Sequence, residues 1–293
     1  MSARAVRHGV TWLITPGSVP GRYPAAVAAS ADVALLDLED SVPLELKEQA
    51  RIAALGFLSE ATPAQQNQTG DAPVLGVRMN ALGTVFGLRD LLAIADTDVR
   101  PRVLLVPKVE SARDVGLVVD VLGTDRSAIW ALIETPRAIG RLPEILSSPA
   151  LAGVVFGAAD YAAAARCRRT TDALGYPRAA LAAAAAAASL PAVDSPYFDL
   201  ADPDGLRREA EQARDLGFTG KGAVHPKQLP VIRAAFQPSR EDLHQARAMV
   251  RAADMAAGIS TDGDGRMVGP PLVASARAVI EHAQTTRTSP GGT

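Results

Sequence analysis

Cysteine is almost missing: Cys167 is the single one in 293 residues. No disulfide and no cysteine-built metal site can form within the chain, and a reducing cytoplasm is the expected home. Aromatic residues are scarce, at 4%, which argues against a surface that stacks bases. Neither sign of charge dominates, the formal net being −2, so no global field draws nucleic acid or an anionic membrane. Apolar stretches are broken by charge or proline before they reach membrane-spanning length. Met1–Val10 lacks the apolar core of a signal peptide. The first turn, Pro16 to Gly21, lacks Gly-x-Gly-x-x-Gly spacing, and no Gly-Lys-Ser/Thr phosphate loop occurs. The sequence therefore predicts neither a nucleic-acid partner nor a membrane partner.

What is present is apolar bulk in short pieces. Hydrophobic residues make up 48%, enough for a substantial core. Runs rich in Val, Ile and Leu recur at Thr11–Gly17, Val33–Asp40, Val74–Asn80, Arg102–Glu110, Ala128–Thr135, Leu151–Asp160, Ala192–Asp199 and Gly220–Gln228. Several are continuously apolar, as in Val33–Leu36 and Val103–Val106, the pattern of parallel strands covered on both faces. Helical patterns lie between them, at Leu44–Leu58, Thr84–Ala95, Ser111–Leu122, Pro136–Leu146, the Ala-rich 181–190 and Pro203–Leu216. Asp202-Pro203 is a good helix start. Eight strand–helix units predict an α/β fold, a (β/α)8 TIM barrel with a C-terminal helical extension. The barrel domain is expected over 1–236 and the helical segment over 237–293. Ser59–Pro73 reads as an exposed loop and Thr285–Thr293 as a frayed tail.

Each apolar run ends in polar groups. They include Asp37, Glu39 and Asp40, then Arg78 and Asn80, then Lys108 and Glu110, then Glu134, Asp160, Asp194 and His225. In a barrel the strand ends gather around one mouth, where catalytic groups collect. One such charge alone is an ordinary solvated rim group; seven strands delivering one is harder to dismiss. Crowded carboxylates repel unless a cation or proton intervenes. Hard oxygen ligands, with His sparse, point to Mg²⁺, with Mn²⁺ as the alternative. Arg78 can grip a substrate carboxylate through paired hydrogen bonds, which favours a small 2-oxo acid. Lys108 is expected to pair with Glu110. His225 is open to a loop-fixing or an acid/base role.

The same residues carry a resemblance. Leu13–Gly17, Leu36–Val42, Val77–Asn80, Val106–Glu110, Ile133–Thr135, Phe156–Asp160 and Gly222–Pro226 resemble, in order, motifs of the citrate lyase β-subunit family of citryl-, malyl- and citramalyl-CoA lyases and related aldolases. The resemblance implies Mg²⁺ on Glu134 and Asp160, with Arg78 as the carboxylate clamp. It implies that Asp37, Glu39 and Asp40 line the metal's water shell and orient Arg78, and that Lys47 and Arg51 meet coenzyme A phosphates. It further implies an acyl-CoA thioester or 2-oxo acid substrate, and a homotrimer or hexamer whose C-terminal helices cross to a neighbour. One position departs. The family carries an Asp in a Met-Ile/Val-Asp-x-Pro lid segment; here Met267-Val268-Gly269-Pro270-Pro271 has glycine, which cannot move a proton. Three functions stay open: a carbon–carbon lyase on a 3-hydroxyacyl-CoA, a divergent aldolase or thioester hydrolase, and a non-catalytic subunit that binds 2-oxo acid or coenzyme A.

Overall fold

In the computed structural model, which describes residues 9–60, 72–99, 101–123, 127–255, 260–261, 265 and 267–287, eight parallel strands pair in chain order and close. They are β1 (Thr11–Pro16), β2 (Val33–Asp37), β3 (Val74–Arg78), β4 (Val103–Val106), β5 (Ala128–Ile133), β6 (Leu151–Phe156), β7 (Ala192–Asp194) and β8 (Gly220–Ala223). Closure runs through Thr11↔Lys221, Trp12↔Gly222 and Leu13↔Ala223. The expected barrel is borne out, with one strand inside each expected run. The strands are shorter than the runs at their carboxyl ends, where the polar tails leave the ladder and become loops.

Helices lie between the strands: α1 (Tyr23–Ala28), α2 (Lys47–Ser59), α3 (Val85–Ala95), α4 (Ala112–Leu122), α5 (Pro136–Ile139), α6 (Leu142–Leu146), α7 (Ala158–Ala165), α8 (Thr171–Ala187) and α9 (Pro203–Leu216), with α10 (Leu229–Phe236) after β8. Local chemistry sets their starts. Thr84 Oγ1 accepts from the Gly87 N–H, Ser111 and Asp114 form a capping box, and Asp202 Oδ1 accepts from the Gly205 N–H ahead of Pro203. The helix expected over Pro136–Leu146 is two short ones, because Pro143 has no N–H to continue the first. The Ala run is the end of a longer helix, α8, which carries Pro177 inside it. The sixth run does not stay extended to Asp160: Ala158–Ala165 is helix, and Asp160 stands in its first turn.

The barrel interior follows the two-residue period of a strand. Trp12, Val33, Leu35, Val74, Val103, Leu105, Trp130, Leu132, Val155 and Val193 form one buried cluster. Trp12 and Trp130 meet with ring centroids 4.4 Å apart. Gly153 makes room for them, since a side chain there would strike the Trp130 ring. The β5–β6 register shifts at Ile129/Trp130 beside it.

The chain divides into two compact units, Met1–Arg233 and Ala234–Thr293. In the second, α11 (Arg240–Met255) packs on α12 (Pro270–Arg287), and β9 (Ser260–Thr261) pairs antiparallel with β10 (Met267–Val268). The Val273 N–H donates to the Gly269 carbonyl at 3.0 Å, so Gly269 is the residue from which α12 starts. Among the described residues, its chain neighbours apart, no atom lies within 4 Å of where a Cβ would stand on it. Asp262, Asp264, and most of the Ser59–Pro73 and Thr285–Thr293 segments lie outside the described residues.

Candidate active site

The inward rows of the barrel end in charge. Val33 and Leu35 face the core, and Asp37 is the next inward position on β2. Arg78 follows Val74 and Gly76 in the same way, and Glu134 follows Trp130 and Leu132. The strand period that fills the core thus delivers these three side chains to its upper layer.

Asp37 and Arg78 form a two-point pair. Arg78 Nε donates to Asp37 Oδ1 at 2.6 Å and Nη2 to Oδ2 at 2.7 Å. The Glu39 and Ser41 N–H groups also donate to the Asp37 carboxylate, at 2.9 and 3.2 Å. Burial alone would raise the Asp37 pKa, but Arg78 and these donors outweigh it and hold the group below its ordinary value. For Arg78, burial works against the charge, yet Asp37, Glu39 and Asp40 raise its pKa above the usual guanidinium value. Its remaining nitrogen, Nη1, reaches Asp40 Oδ2 at 3.2 Å and Glu39 Oε2 at 3.3 Å. Asp37 therefore fixes the plane of the guanidinium, and Glu39 and Asp40 lie along its outer edge.

A second cluster adjoins the first. Lys108 Nζ lies 2.6 Å from Asp160 Oδ2, 3.0 Å from Glu39 Oε1 and 3.8 Å from Glu134 Oε1. The Lys108 N–H donates to Glu134 Oε1 at 2.9 Å. Glu134 is 2% exposed. Burial pushes its pKa up to about 8, with Glu39 and Asp160 adding to the push and Lys108 and Arg78 opposing it. Glu39 rises to about 7 through burial, opposed by Arg78 and Lys108 and reinforced by Asp40. Its Oε2 is buried and accepts no hydrogen bond. Five carboxylates, those of Asp37, Glu39, Asp40, Glu134 and Asp160, face two side-chain cations. The arrangement is short of positive charge.

Gly157 sets the position of Glu134. A Cβ at residue 157 would stand 2.5 Å from Glu134 Cβ and 2.6 Å from Oε2. Gly157→Ala is expected to push the Glu134 side chain away, lowering kcat/KM by roughly 10²-fold, since misplacements of about 1 Å cost that much. The melting temperature should fall by several degrees, since such overpacking costs about 1–3 kcal/mol, and an unchanged kcat/KM would contradict this placement.

Other expected residues fall elsewhere. Lys47 and Arg51 are buried, not open to a phosphate: Lys47 Nζ donates to the carbonyls of Leu38 and Glu39, and Arg51 pairs with Asp90 and Glu48. Their role here is to hold the loop after β2 and to tie α2 to α3. Lys108 does not pair with Glu110, whose carboxylate is taken by Thr135 Oγ1 and Arg137. His225 Nδ1 accepts from the Lys227 N–H, a loop-fixing role. Asp194 faces away from the mouth, because its neighbour Val193 holds the inward position. It pairs with Arg178 and with Lys221, which is wholly buried. A cavity of about 170 Å³ borders this network and is lined by Arg178, Asp194, Tyr197 and Glu209. It contains none of Arg78, Glu134 and Asp160.

Comparison with known proteins now bears on the site. Residues 11–226 match the model of the HpcH/HpaI aldolase/citrate lyase family. The chain belongs to that family. It is 34% identical over 290 residues to the citrate lyase subunit beta-like protein of Mycobacterium tuberculosis, covering 97% of this chain and 98% of the relative. It is 32% identical over 278 residues to the (3S)-malyl-CoA thioesterase of Cereibacter sphaeroides, with 93% of each chain covered. Its fold matches the crystal structure of CitE from M. tuberculosis in complex with magnesium, acetoacetate and coenzyme A, with TM-score 0.81 and 33% identity over 94% of this chain and 98% of that one.

Membership in the aldolase/citrate lyase family makes Mg²⁺ the group to test against these side chains. Among the described residues no three His, Cys, Asp or Glu side chains form a ready ligand set. Mg²⁺ does not need one, since it is usually held by one or two carboxylates and keeps several waters. Glu39 Oε2, which accepts no hydrogen bond, and the carboxylate excess fit a small hard cation beside Glu134 and Asp160.

Proposed function

We propose that this member of the aldolase/citrate lyase family is a Mg²⁺-dependent carbon–carbon lyase. It cleaves a 3-hydroxyacyl-CoA of the malyl, citramalyl or citryl type into a 2-oxo acid and an acyl-CoA, or condenses them. The observation that carries this reading is the Asp37-fixed guanidinium of Arg78 next to the buried Glu134 and the more open Asp160. Glu134 and Asp160 would hold the ion. A bound Mg²⁺ would supply Lewis-acid polarisation to the oxygens of the oxo-acid portion. Arg78 would exchange its Nη1 contact with the exposed Asp40 for the substrate carboxylate, its orientation still set by Asp37. Cleavage needs a base at the 3-hydroxyl. Glu39 Oε2 is suited to take that proton, being adjacent to Arg78 and free of any hydrogen bond. As the carbon–carbon bond breaks, the hydroxyl carbon becomes the 2-oxo carbonyl and the electron pair goes to the thioester enolate, which a proton donor then quenches.

Gly269 favours a second reading, hydrolysis of the thioester, because a glycine supplies no proton to that enolate. The thioesterase relative supports it as well. One assay separates the two. With Mg²⁺ and malyl-CoA, a lyase yields 2-oxo acid, read as its phenylhydrazone, and no free thiol. A hydrolase yields free thiol, read with a disulfide reagent, and no 2-oxo acid. The lyase result is expected; neither product from malyl-, citramalyl- or citryl-CoA would overturn both thioester readings and leave a CoA-independent aldolase or a binding subunit. Assembly as a homotrimer or hexamer belongs to the same proposal and is checked by light scattering.

A further inference from the structure

Lys108 occupies an unusual place. It follows β4 and Pro107 with φ at +53°, in the left-handed region that few non-glycine residues adopt. That turn aims its N–H at Glu134 Oε1 and carries its side chain across the mouth. The ammonium then sits among three carboxylates from three elements: Asp160 of α7 at 2.6 Å, Glu39 after β2 at 3.0 Å and Glu134 after β5 at 3.8 Å. The sequence neighbour Glu110 is occupied elsewhere, so nothing at that position holds the lysine back from them. Strained backbone held at a charged site is a common mark of a functional role.

Two of these three carboxylates, Glu134 and Asp160, are the ones that the proposed function assigns to a divalent ion. Magnesium binds oxygen at about 2.0–2.1 Å. An ammonium within hydrogen-bond distance of the same oxygens would stand against the ion as a like charge with little water between. The two cannot share the seat. We propose that Lys108 is a tethered counter-cation: its ammonium and the divalent ion occupy the place beside the Glu134 and Asp160 carboxylates in alternation, and metal uptake expels the lysine from them and from Glu39 toward the open mouth. The inference rests on the metal site of the proposed function. Lys108 is in this account a positioning residue. It keeps the carboxylates gathered until the ion arrives, and its own release delivers a positive charge to the rim where an anionic thioester enters. Its side chain is already 41% exposed, so the outward path is open.

The test uses the full-length protein and magnesium alone. Limited acetylation at one pH and fixed ionic strength, mapped by mass spectrometry, reads the accessibility of each lysine. Addition of saturating Mg²⁺ is expected to raise the labelling of Lys108 severalfold while the exposed Lys227 stays constant. By calorimetry, Lys108→Met is expected to bind Mg²⁺ about tenfold more tightly than the wild type, because a competing charge is gone. Lys227→Met, which removes the same charge from an exposed position, should leave the affinity unchanged. If the wild type takes up Mg²⁺ but Lys108 labelling does not rise, or if Lys108→Met binds no more tightly, the alternation is wrong and the metal site stands. If the wild type takes up no Mg²⁺, both fail. The labelling arm needs only the wild type, so a variant that misfolds does not rescue the idea.

Discussion

Glu134→Gln is expected to lower kcat/KM by about 10³-fold or more while leaving the protein folded. The substitution keeps the shape of the side chain, and Oε1 can still accept from the Lys108 N–H. What it removes is the ability of a buried side chain to carry a negative charge beside a cation. A group that holds a charge-stabilising centre in place commonly accounts for about 3–4 kcal/mol of the transition state, or roughly 10²–10³ in rate. Loss of a direct ligand should lie at or beyond the upper end. Stability should not fall with activity. Burial, with Glu39 and Asp160 beside it, already disfavours the Glu134 charge and holds its pKa up at about 8, so a neutral amide costs the metal-free protein little at neutral pH. Activity and stability moving apart is the signature of a carboxylate kept for function. Thermal melts alongside the 2-oxo acid assay would check it. Wild-type turnover by the variant, or loss of the fold, would contradict the assignment.

Lys221→Met is expected to do the reverse, removing stability through a network outside the mouth. Lys221 Nζ lies 2.6 Å from Asp194 Oδ2, 2.7 Å from the Ser195 carbonyl and 2.7 Å from Glu209 Oε1. Lys221 and Asp194 are both buried. Asp194 keeps its two-point pair with Arg178, so the loss falls on the Ser195 carbonyl and the half-buried Glu209, and a buried group left without its partner costs about 1–3 kcal/mol. For a chain of this length the drop in Tm is about 5–10 °C. Asp194 also sets an acid limb. Burial would raise its pKa, but Lys221 and Arg178 overcome that and hold it below the ordinary carboxylate value. A depressed folded pKa contributes stability that is full above the unfolded value of about 3.9. It is lost as pH falls through the folded value. The variant should therefore unfold at a higher pH than the wild type during acid titration. Equal melting temperatures for the two proteins would show that the pair contributes nothing.

The barrel was legible because its strands are short, apolar and evenly spaced, and because eight of them leave no other closed arrangement. Strand ends were not legible. The runs pass into Leu38–Asp40 and Lys108–Glu110 without a break in the sequence, but the ladder stops there: the Leu38 N–H still donates to the Arg78 carbonyl at 2.9 Å, and beyond it the chain turns into loop. Arg78, Asp37 and Glu134 could be read from residue type and order alone. The inward period, counted from Val33, Val74 and Trp130, gives their direction as well. The same count applied to Val193 would have turned Asp194 outward, and Gly222 opposite Trp12 would have turned Lys221 outward with it. Lys47 and Arg51 were expected, from the resemblance, to face coenzyme A phosphates, and a cation on a helix gives no local sign of burial. Only the tertiary contacts to the Leu38 and Glu39 carbonyls and to Asp90 show otherwise. The Lys108 contacts had no local signal at all. They depend on a left-handed backbone angle and on carboxylates 69 and 52 residues away.

Manganese binding followed by electron paramagnetic resonance tests the central claim most directly, because the free aqua ion gives a sharp signal that protein-bound ion loses. The account predicts that the wild type depletes this signal with a stoichiometry of about one ion per chain, as a single two-carboxylate seat requires. Glu134→Gln and Asp160→Asn should each abolish that depletion. A titration in which the wild type leaves the free signal intact, or in which both variants deplete it as the wild type does, would contradict the account.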